Sequence, residues 1–293
     1  SPIGTLIWKL APAIAAGNTV VIKPSERASC STLELMKILE EADLPEGLIN
    51  VVTGFGPTTG APLIEHQDVR MISFTGGTKG GSAASLSASK NVKPIIMELG
   101  GKSPQIIFKD ADLTLSVNGV VSGIFPVSGH SCISGSRILV HKDIKDKFTH
   151  NLLEVVKKAK VGHPNDTATQ IGPIANKEQY DFILSKIESA EKRGLKLLID
   201  GRKEQKSEGY YIGPTIFDNV PNEDDLAQNE VFGPVASIQS WDNEDEVIKI
   251  ANDTIYGLAA GIWTKDTNKA IRLADKIEAG TVYINNYFNA STQ

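Results

Sequence analysis

Hydrophobic and polar residues alternate with two different periods along the first hundred residues. The stretches with helix-like spacing are 31–44, APLIEHQ (61–67) and 79–90, and Ser29 and Ser31 are N-cap candidates for the first of them. The β-branched runs that predict strands are TVVIK (19–23), GLINVVTG (47–54), RMISFTGG (70–77) and KPIIMELGG (93–101). Strands this apolar, alternating with helices, predict a parallel sheet covered on both faces.

The alternation continues after residue 105 with longer helices. The predicted helices are 112–124, 144–160, 176–194, 244–252 and 267–277. The predicted strands are RILVH (137–141), KLLID (196–200), ASIQS (236–240), AAGIWT (259–264) and TVYIN (281–285). KEQKSEG (203–209) predicts an exposed loop. The domain boundary is predicted near Gly100 and Gly101, where the short regular alternation stops.

Composition narrows the class of protein. The 293 residues carry a formal charge of −5, which argues against a nucleic-acid or anionic-membrane partner. No uncharged apolar stretch reaches the roughly 18 residues of a membrane helix, and the first residues lack the charged region of a signal peptide. Two cysteines, Cys30 and Cys132, do not make a disulfide framework, so we expect a reducing, cytoplasmic compartment.

Cys132 lies in GHSCISGSR, between glycines that allow close backbone approach. A cysteine there is either a small buried hydrophobe or a nucleophile whose thiolate is favoured by its surroundings. His130 resembles half of a Cys–His dyad, but side chains two positions apart need not converge, which favours a hydrogen-bonding or packing role.

Glu98 closes an apolar strand immediately before two glycines. A partly desolvated carboxylate at that end of a sheet would have a raised pKa and could act as a general base, although a salt-bridged strand end fits equally well. Glycine clusters at 54–60 and 76–81 follow other strands, where phosphates approach the backbone. The spacing in GFGPTTG differs from the Rossmann fingerprint, so that cluster alone is weak evidence.

Eight strings in order resemble the aldehyde dehydrogenase superfamily along essentially the whole chain. They are GNTVVIKPSE, TGFGPTTG, ISFTGGTKGG, MELGGKSP, GHSCISGSR, NEVFGPV, NDTIYGLAAGIWT and GTVYINN. The resemblance implies an α/β fold with a Rossmann-type parallel-sheet cofactor domain over 1–100 and an α/β catalytic domain over 101–293. It also implies NAD-dependent oxidation of a small aldehyde to a carboxylic acid.

The resemblance also implies roles for two catalytic residues. Cys132 matches the nucleophile that forms a thiohemiacetal and then a thioester, with its own backbone N–H helping to stabilise the oxyanion. Glu98 matches the base that activates water to hydrolyse the thioester. Members that transfer the acyl group to coenzyme A generally lack this carboxylate, so Glu98 favours the hydrolytic branch.

The cofactor-binding residues follow from the same resemblance. Lys23 and Glu26 match the pair that holds the adenosine ribose, and Glu26 favours NAD over NADP because a carboxylate repels a 2′-phosphate. The remaining implied cofactor-binding residues are Ser25, Gly56, Gly76, Gly77, Thr78, Leu99, Glu230 and Phe232. Gly76, Gly77 and Thr78 match the pyrophosphate turn, and Glu230 and Phe232 match the residues at the nicotinamide ribose and ring. No metal is implied.

Three features depart from the family pattern. His130 stands where glutamine is usual, and Gly77 replaces a serine of the phosphate turn, which removes one hydroxyl. The chain opens at Ser1 within the tail of a Pro-Trp-Asn-x-Pro segment, which would place the oxyanion-hole asparagine upstream. We therefore expect impaired turnover from this stretch alone, since one oxyanion donor is worth about 10²–10³ in rate.

Two other functions remain open at this stage: a non-catalytic dinucleotide-binding remnant, or a CoA-acylating aldehyde dehydrogenase. The aldehyde itself is not readable, and Phe125 and Phe288 fit either substrate walls or core packing. The parent protein is expected to be a homo-oligomer, a dimer or a tetramer.

Overall fold

A computed structural model of the chain describes residues 2–204 and 208–288. The chain divides into two compact units, Ser1–Leu99 and Gly100–Gln293, which are described separately below. Among the described residues, no helix combines the length and the apolar character needed to cross a bilayer.

The first unit alternates helices and short strands. Its helices are α1 (Pro2–Ala15), α2 (Cys30–Glu40), α3 (Ala61–Glu65) and α4 (Thr78–Ser89). Its strands are β1 (Val20–Ile22), β2 (Ile49–Val51), β3 (Ile72–Thr75) and β4 (Ile95–Glu98). Helix α1 was not predicted. Helix α2 ends before residue 44, and Ser29 does not cap it, because its hydroxyl donates to the Ser25 carbonyl (2.9 Å).

The strands of the first unit form two separate parallel pairs, β1–β2 and β3–β4. Val20 lies opposite Ile49, and Ile72 lies opposite Ile95. The expected parallel pairing is confirmed, whereas the four strands form two pairs in place of one continuous sheet. Side chains of these short strands, such as Ile96 (51% exposed), contact solvent.

The second unit contains a seven-stranded sheet with the order β11-β10-β5-β6-β9-β8-β7. Its strands are β5 (Pro104–Ile107), β6 (Arg137–His141), β7 (Lys196–Ile199), β8 (Thr215–Asp218), β9 (Val235–Trp241), β10 (Ala259–Trp263) and β11 (Thr281–Ile284). All neighbouring pairs are parallel except the edge pair β7–β8, which is antiparallel. Strands β5 and β8 were not predicted.

Helices pack around this sheet, and most begin at a side-chain cap. They are α5 (Leu113–Ile124), α6 (Lys145–Val156), α7 (Lys177–Lys192), α8 (Asp225–Gln228), α9 (Glu244–Asn252) and α10 (Thr267–Ala274). Asp112 accepts from the Leu115 N–H at the start of α5, and Asn176 accepts from the Gln179 N–H at the start of α7. Helix α8 was not predicted, and the predicted loop 203–209 lies partly outside the described residues.

The core of the second unit lies on both faces of β5 and β6. Successive strand residues point to opposite faces, so Ile107 packs in one cluster with α5 and α6 while Ile106 packs in another with α9 and α10. All four residues of β5 are buried. Because both faces are apolar, β5 and β6 form a rigid base for the loops that follow them.

Arg137 is a fully buried residue at the start of β6. Its guanidinium donates to the carbonyls of Lys102 (3.0 Å), Ile250 (3.1 Å) and Ala251 (2.6 Å), and burial lowers the pKa of Arg137 to about 10. It therefore connects the loop before β5 with the carbonyl end of α9, where a cation is favoured by the helix dipole.

We expect Arg137→Met to lower the free energy of unfolding by about 3 kcal/mol or more, because three buried carbonyls lose their donor. Urea unfolding measures the change. Arg272→Met is the matched control, since Arg272 pairs with Glu244 at the exposed start of α9 and its loss should change stability little. Equal effects in the two variants would contradict this role of Arg137.

Candidate active site

The segment before Cys132 has an unusual backbone. A 3₁₀ turn, Pro126–Gly129, follows α5, and Val127, Ser128 and Gly129 have φ values of 54°, 55° and 72°. A Cβ at Gly129 would lie 2.2 Å from the carbonyl carbon of Gly233. Only glycine therefore permits this turn to lie against the segment that contains Phe232.

The Cys132 loop itself is held from several sides. A Cβ at Gly101 would lie 2.3 Å from the Cys132 carbonyl oxygen, and the Tyr287 hydroxyl donates to the Ile133 carbonyl (2.7 Å). The Gly135 N–H donates to the Gly123 carbonyl (3.1 Å). Cys132 is half-buried and outside any disulfide, which does not fit a fully buried structural cysteine.

His130 is not placed as the base of Cys132. Its Nδ1 lies 3.0 Å from the Val127 carbonyl oxygen, and its Nε2 is buried with no hydrogen-bond partner among the described residues. Burial lowers the pKa of His130, and the hydrogen bond to Val127 opposes this shift. The imidazole packs edge-to-face on the ring of Phe232, with 5.5 Å between ring centroids.

Glu230 lies beside the same glycine pair. The Gly101 N–H donates to its Oε1 (3.2 Å), and a Cβ at Gly100 would lie 2.4 Å from Oε2. Burial raises the pKa of Glu230, whereas the Gly101 N–H and the Lys102 ammonium oppose this. The structure thus brings together Cys132 and Glu230, two residues that sequence reasoning placed at one site, through the backbone of Gly101.

Phe232 also has a left-handed backbone (φ 52°) and a side chain that is 38% exposed. Gln179 of α7 stabilises it, because the Gln179 amide donates to the carbonyls of Val231 (2.9 Å) and Phe232 (3.1 Å). Sequence reasoning missed Gln179 and Tyr287, since each is distant in sequence from the residues it holds.

Lys102 is a second residue that sequence reasoning missed. It is buried, and burial lowers its pKa to about 7, with the Arg137 charge adding to the effect and the Glu230 charge opposing it. The sequence feature that could have indicated Lys102 is its position directly after the glycine pair. Its side chain lies in the interior of the second unit.

In the first unit, Lys23 and Glu26 form a pair beyond the end of β1. Lys23 Nζ lies 3.8 Å from Glu26 Oε2 and donates to the carbonyls of Pro24 (2.7 Å) and Gly54 (3.1 Å). Lys23 therefore connects the chain after β1 with the chain after β2. The exposed Ser25 lies between the pair, and its hydroxyl accepts from the Arg27 N–H (3.3 Å).

The glycine turn after β3 leads directly into α4. A Cβ at Gly76 would lie 2.8 Å from the Phe74 ring, and Gly77 is the N-cap residue and offers no side-chain cap. The first N–H groups of α4, which begins at Thr78, are therefore open to an anion. Gly56 begins a separate π-helical turn, Gly56–Gly60, with no atom within 4 Å of its would-be Cβ.

Glu98 and Leu99 end the first unit. Glu98 lies at the end of β4 opposite Thr75, its carbonyl accepts from the Gly76 N–H (3.1 Å), and its side chain is exposed. This exposure follows from the strand order, because β4 pairs on one side only. Leu99 packs against Gly81 of α4, where a Cβ would lie 2.5 Å from the leucine methyl.

Comparison with known proteins identifies the family. The sequence model of the aldehyde dehydrogenase family matches residues 1–293. The chain belongs to this family. Aldehyde dehydrogenase 1A1 of Gallus gallus is 45% identical over the whole chain, and that of Homo sapiens is 43% identical. The chain spans 57% and 58% of the length of these two aldehyde dehydrogenases.

Solved aldehyde dehydrogenases share the fold. Betaine aldehyde dehydrogenase from Staphylococcus aureus in complex with NAD+ superposes with a TM-score of 0.95 at 39% identity and covers 100% of this chain. The P. syringae indole-3-acetaldehyde dehydrogenase in complex with NAD+ also gives 0.95 at 39% identity, over 99%. This chain covers 58% and 59% of those two chains. These matches confirm the α/β fold with parallel strands.

Among the described residues, no three His, Cys, Asp or Glu side chains are grouped so that they could hold a metal ion.

We expect Gly101→Ala to lower the free energy of unfolding by about 1–3 kcal/mol, because the added methyl group overlaps the Cys132 carbonyl oxygen. Alkylation of Cys132 by iodoacetamide, in a Cys30→Ser background, should become faster as the loop is displaced. Gly172→Ala is the control, since no atom lies closer than 3.9 Å to its would-be Cβ. Similar stability of both variants would contradict the close approach at Gly101.

Glu230→Gln should stabilise the protein in a pH-dependent manner. Because the pKa of Glu230 is raised in the folded state above its ordinary value of 4.5, the folded wild type binds more protons just above that pH and loses stability as pH rises through the raised pKa. The free energy of unfolding of Glu230→Gln therefore exceeds that of wild type by an amount that grows over this pH range and then levels off. Urea unfolding at several pH values measures it, with exposed Glu223→Gln as the control.

Proposed function

We propose that this chain is part of an NAD-dependent aldehyde dehydrogenase of the hydrolytic type. The observation that carries the proposal is the convergence of the Cys132 loop and Glu230 on the backbone of Gly101. This arrangement lies within a chain of the aldehyde dehydrogenase family, whose solved members include complexes with NAD+.

Cys132 is the proposed nucleophile. Its thiolate attacks the aldehyde carbonyl to give a thiohemiacetal, and loss of hydride from that adduct leaves a thioester on the sulfur. The half-buried side chain is reachable by a small molecule, and the loop is held by Tyr287 and Gly101. A fixed loop keeps the sulfur in position through both steps.

Glu98 is the proposed base for the second half-reaction. It removes a proton from water, which attacks the thioester, and the carboxylic acid and the free thiol are the products. Its carboxylate is exposed and accessible to water. A hydrolytic base needs that accessibility, so the exposed position is compatible with the role.

The proposed cofactor is NAD, which supplies the hydride acceptor when bound. Lys23 and Glu26 would hold the adenosine ribose, and the open N–H groups after Gly77 would bind the pyrophosphate. Glu230 would accept from ribose hydroxyls on the nicotinamide side. The lost serine hydroxyl at Gly77 leaves the backbone N–H groups as the phosphate donors of this turn.

A cavity of about 460 Å³ in the second unit is the proposed place for the body of the aldehyde. One side is the stripe of α5 that contains Asn118 and Ser122, and the other contains Trp263, Tyr287 and Phe288. Tyr287 connects it with the Cys132 loop through its bond to Ile133. Phe125 packs in the core instead (2% exposed).

The substrate is proposed as a small aldehyde. The S. aureus relative is named for betaine aldehyde and the P. syringae relative for indole-3-acetaldehyde, which differ in charge and shape. We also propose that the parent protein is cytoplasmic and forms a homo-oligomer.

Cys132→Ala and Glu98→Gln separate the two half-reactions. With NAD and an aldehyde panel, Cys132→Ala should abolish NADH formation, whereas Glu98→Gln should keep a first-turnover burst of NADH and lower steady-state turnover about 10²- to 10⁴-fold. Stopped-flow absorbance and mass spectrometry of the acylated protein report the two steps.

Other results would select another function. Unchanged turnover in Cys132→Ala would contradict the assignment of Cys132 as the nucleophile. Binding of NAD without acylation of any cysteine would favour the non-catalytic remnant, and turnover that depends on coenzyme A would favour the acylating branch.

A further inference from the structure

We propose that the segment 171–183, which comprises the loop before α7 and the first turns of that helix, fixes the position of Cys132 relative to Phe232. Ser128 and Gln179 are the two positioning residues through which this segment acts. The proposal assigns neither residue a contact with a reactant. The inference rests on the proposed function, because Cys132 is there the nucleophile and Phe232 contacts the nicotinamide ring.

The turn before the cysteine loop needs support from outside itself. Val127, Ser128 and Gly129 are three consecutive residues with a left-handed backbone, and only one of them is glycine. A Cβ disfavours this conformation, and a β-branched residue such as Val127 adopts it least readily. Such a turn persists only where its neighbours hold it. Loss of those contacts would let the turn relax and displace Cys132, which lies three residues after Gly129.

Ser128 supplies one of these contacts. Its side chain is buried, and its hydroxyl donates to the Gly172 carbonyl (2.8 Å) in the loop before α7. That loop is itself fixed to the rest of the second unit, because the Ile174 N–H donates to the Tyr210 carbonyl (2.7 Å). The bond from Ser128 therefore connects the left-handed turn with a part of the chain that is held in place.

Helix α7 holds the segment that contains Phe232. The Gln179 amide donates to the carbonyls of Val231 (2.9 Å) and Phe232 (3.1 Å). One turn later on the same face of α7, Ile183 packs against Gly233, where a Cβ would lie 2.5 Å from the isoleucine methyl group. The backbone of Phe232 is also left-handed (φ 52°), so it too depends on contacts of this kind.

The left-handed turn and the Phe232 segment also contact each other, which closes a ring of contacts. A Cβ at Gly129 would overlap the carbonyl carbon of Gly233. The His130 imidazole packs edge-to-face on the Phe232 ring, with 5.5 Å between the centroids. The ring therefore consists of residues 127–130, the segment 171–183 and residues 231–233. Loss of either side-chain hydrogen bond to the segment 171–183 opens this ring and changes the position of the cysteine loop relative to Phe232.

The alternative is that each hydrogen bond stabilises only the segment it touches. Under that alternative, a change at Gln179 leaves the Cys132 thiol unaffected, and a change at Ser128 leaves the binding of NAD unaffected. Under the proposal, each change also acts at the far side of the ring. These two effects at a distance distinguish the proposal from the alternative.

The test measures both sides of the ring in a Cys30→Ser background. The rate of alkylation of Cys132 by iodoacetamide, followed by mass spectrometry, reports on the cysteine loop and requires no turnover. Calorimetry with NAD reports on the Phe232 segment. The variants are Ser128→Ala, Gln179→Met and the double variant. Gln179→Glu is a second variant that keeps the size of the side chain and loses both N–H donors, and thermal unfolding shows whether each protein is folded.

Two matched controls lose similar hydrogen bonds outside the ring. Gln228→Met removes an amide that donates to the carbonyls of Asn222 (2.6 Å) and Asp253 (2.9 Å). Ser116→Ala removes the hydroxyl of a buried serine, which donates to the Leu113 carbonyl (3.2 Å) in α5. If these controls change alkylation and NAD binding as much as the ring variants do, the effects reflect a general loss of stability and the proposal is wrong.

We expect Gln179→Met to change the alkylation rate of Cys132 about 3- to 10-fold, and Ser128→Ala to weaken NAD binding by a similar factor, the size of one neutral hydrogen bond. The combined effect in the double variant should be smaller than the product of the two single effects by about 2-fold or more, because the second change acts on a ring that is already open. An alkylation rate in Gln179→Met equal to that of wild type, or single effects that simply multiply, would overturn the proposal.

Failure of the proposed function gives a different result. If wild type binds no NAD, the proposed cofactor is wrong, and the alkylation rate of Cys132 in Gln179→Met still tests the role of the segment 171–183. If wild type binds NAD and neither effect at a distance is observed, the proposed function stands and the role of this segment is wrong.

Discussion

The close approach of two backbones at Gly101 is the constraint on which the site in the second unit depends. The Gly101 N–H bonds to the Glu230 carboxylate, and the space that a side chain would fill holds the Cys132 carbonyl oxygen. One residue therefore sets the positions of the proposed nucleophile loop and the proposed ribose-binding carboxylate. Any larger residue would separate them.

The sheet below makes this approach possible. Strands β5 and β6 are buried on both faces, so the loops that precede and follow them leave from a rigid base. Arg137 then connects the Lys102 carbonyl with the end of α9, across more than a hundred residues of chain. The same contacts therefore stabilise the core and fix the geometry of the site.

Burial determines the charge states at the site in the second unit. It raises the pKa of Glu230 and lowers those of Lys102 and His130, so each group shifts toward its neutral form. The Gly101 N–H at Glu230, the hydrogen bond of His130 to the Val127 carbonyl and the Glu230–Lys102 attraction oppose these shifts. The His130 Nδ1 lies against the Val127 carbonyl, so this imidazole is not placed as a base for Cys132.

Most strands and helices could be predicted from the sequence, because periodicity and caps such as Asp112 and Asn176 act locally. The family followed from motifs along the whole chain. Tertiary structure alone decided that the first unit forms two separate strand pairs, that Glu98 is exposed, and that β5 and β8 join the sheet. It also decided that His130 bonds to Val127 and that Gln179 and Tyr287 hold the loops. These contacts depend on burial and on residues distant along the chain, which local patterns do not encode.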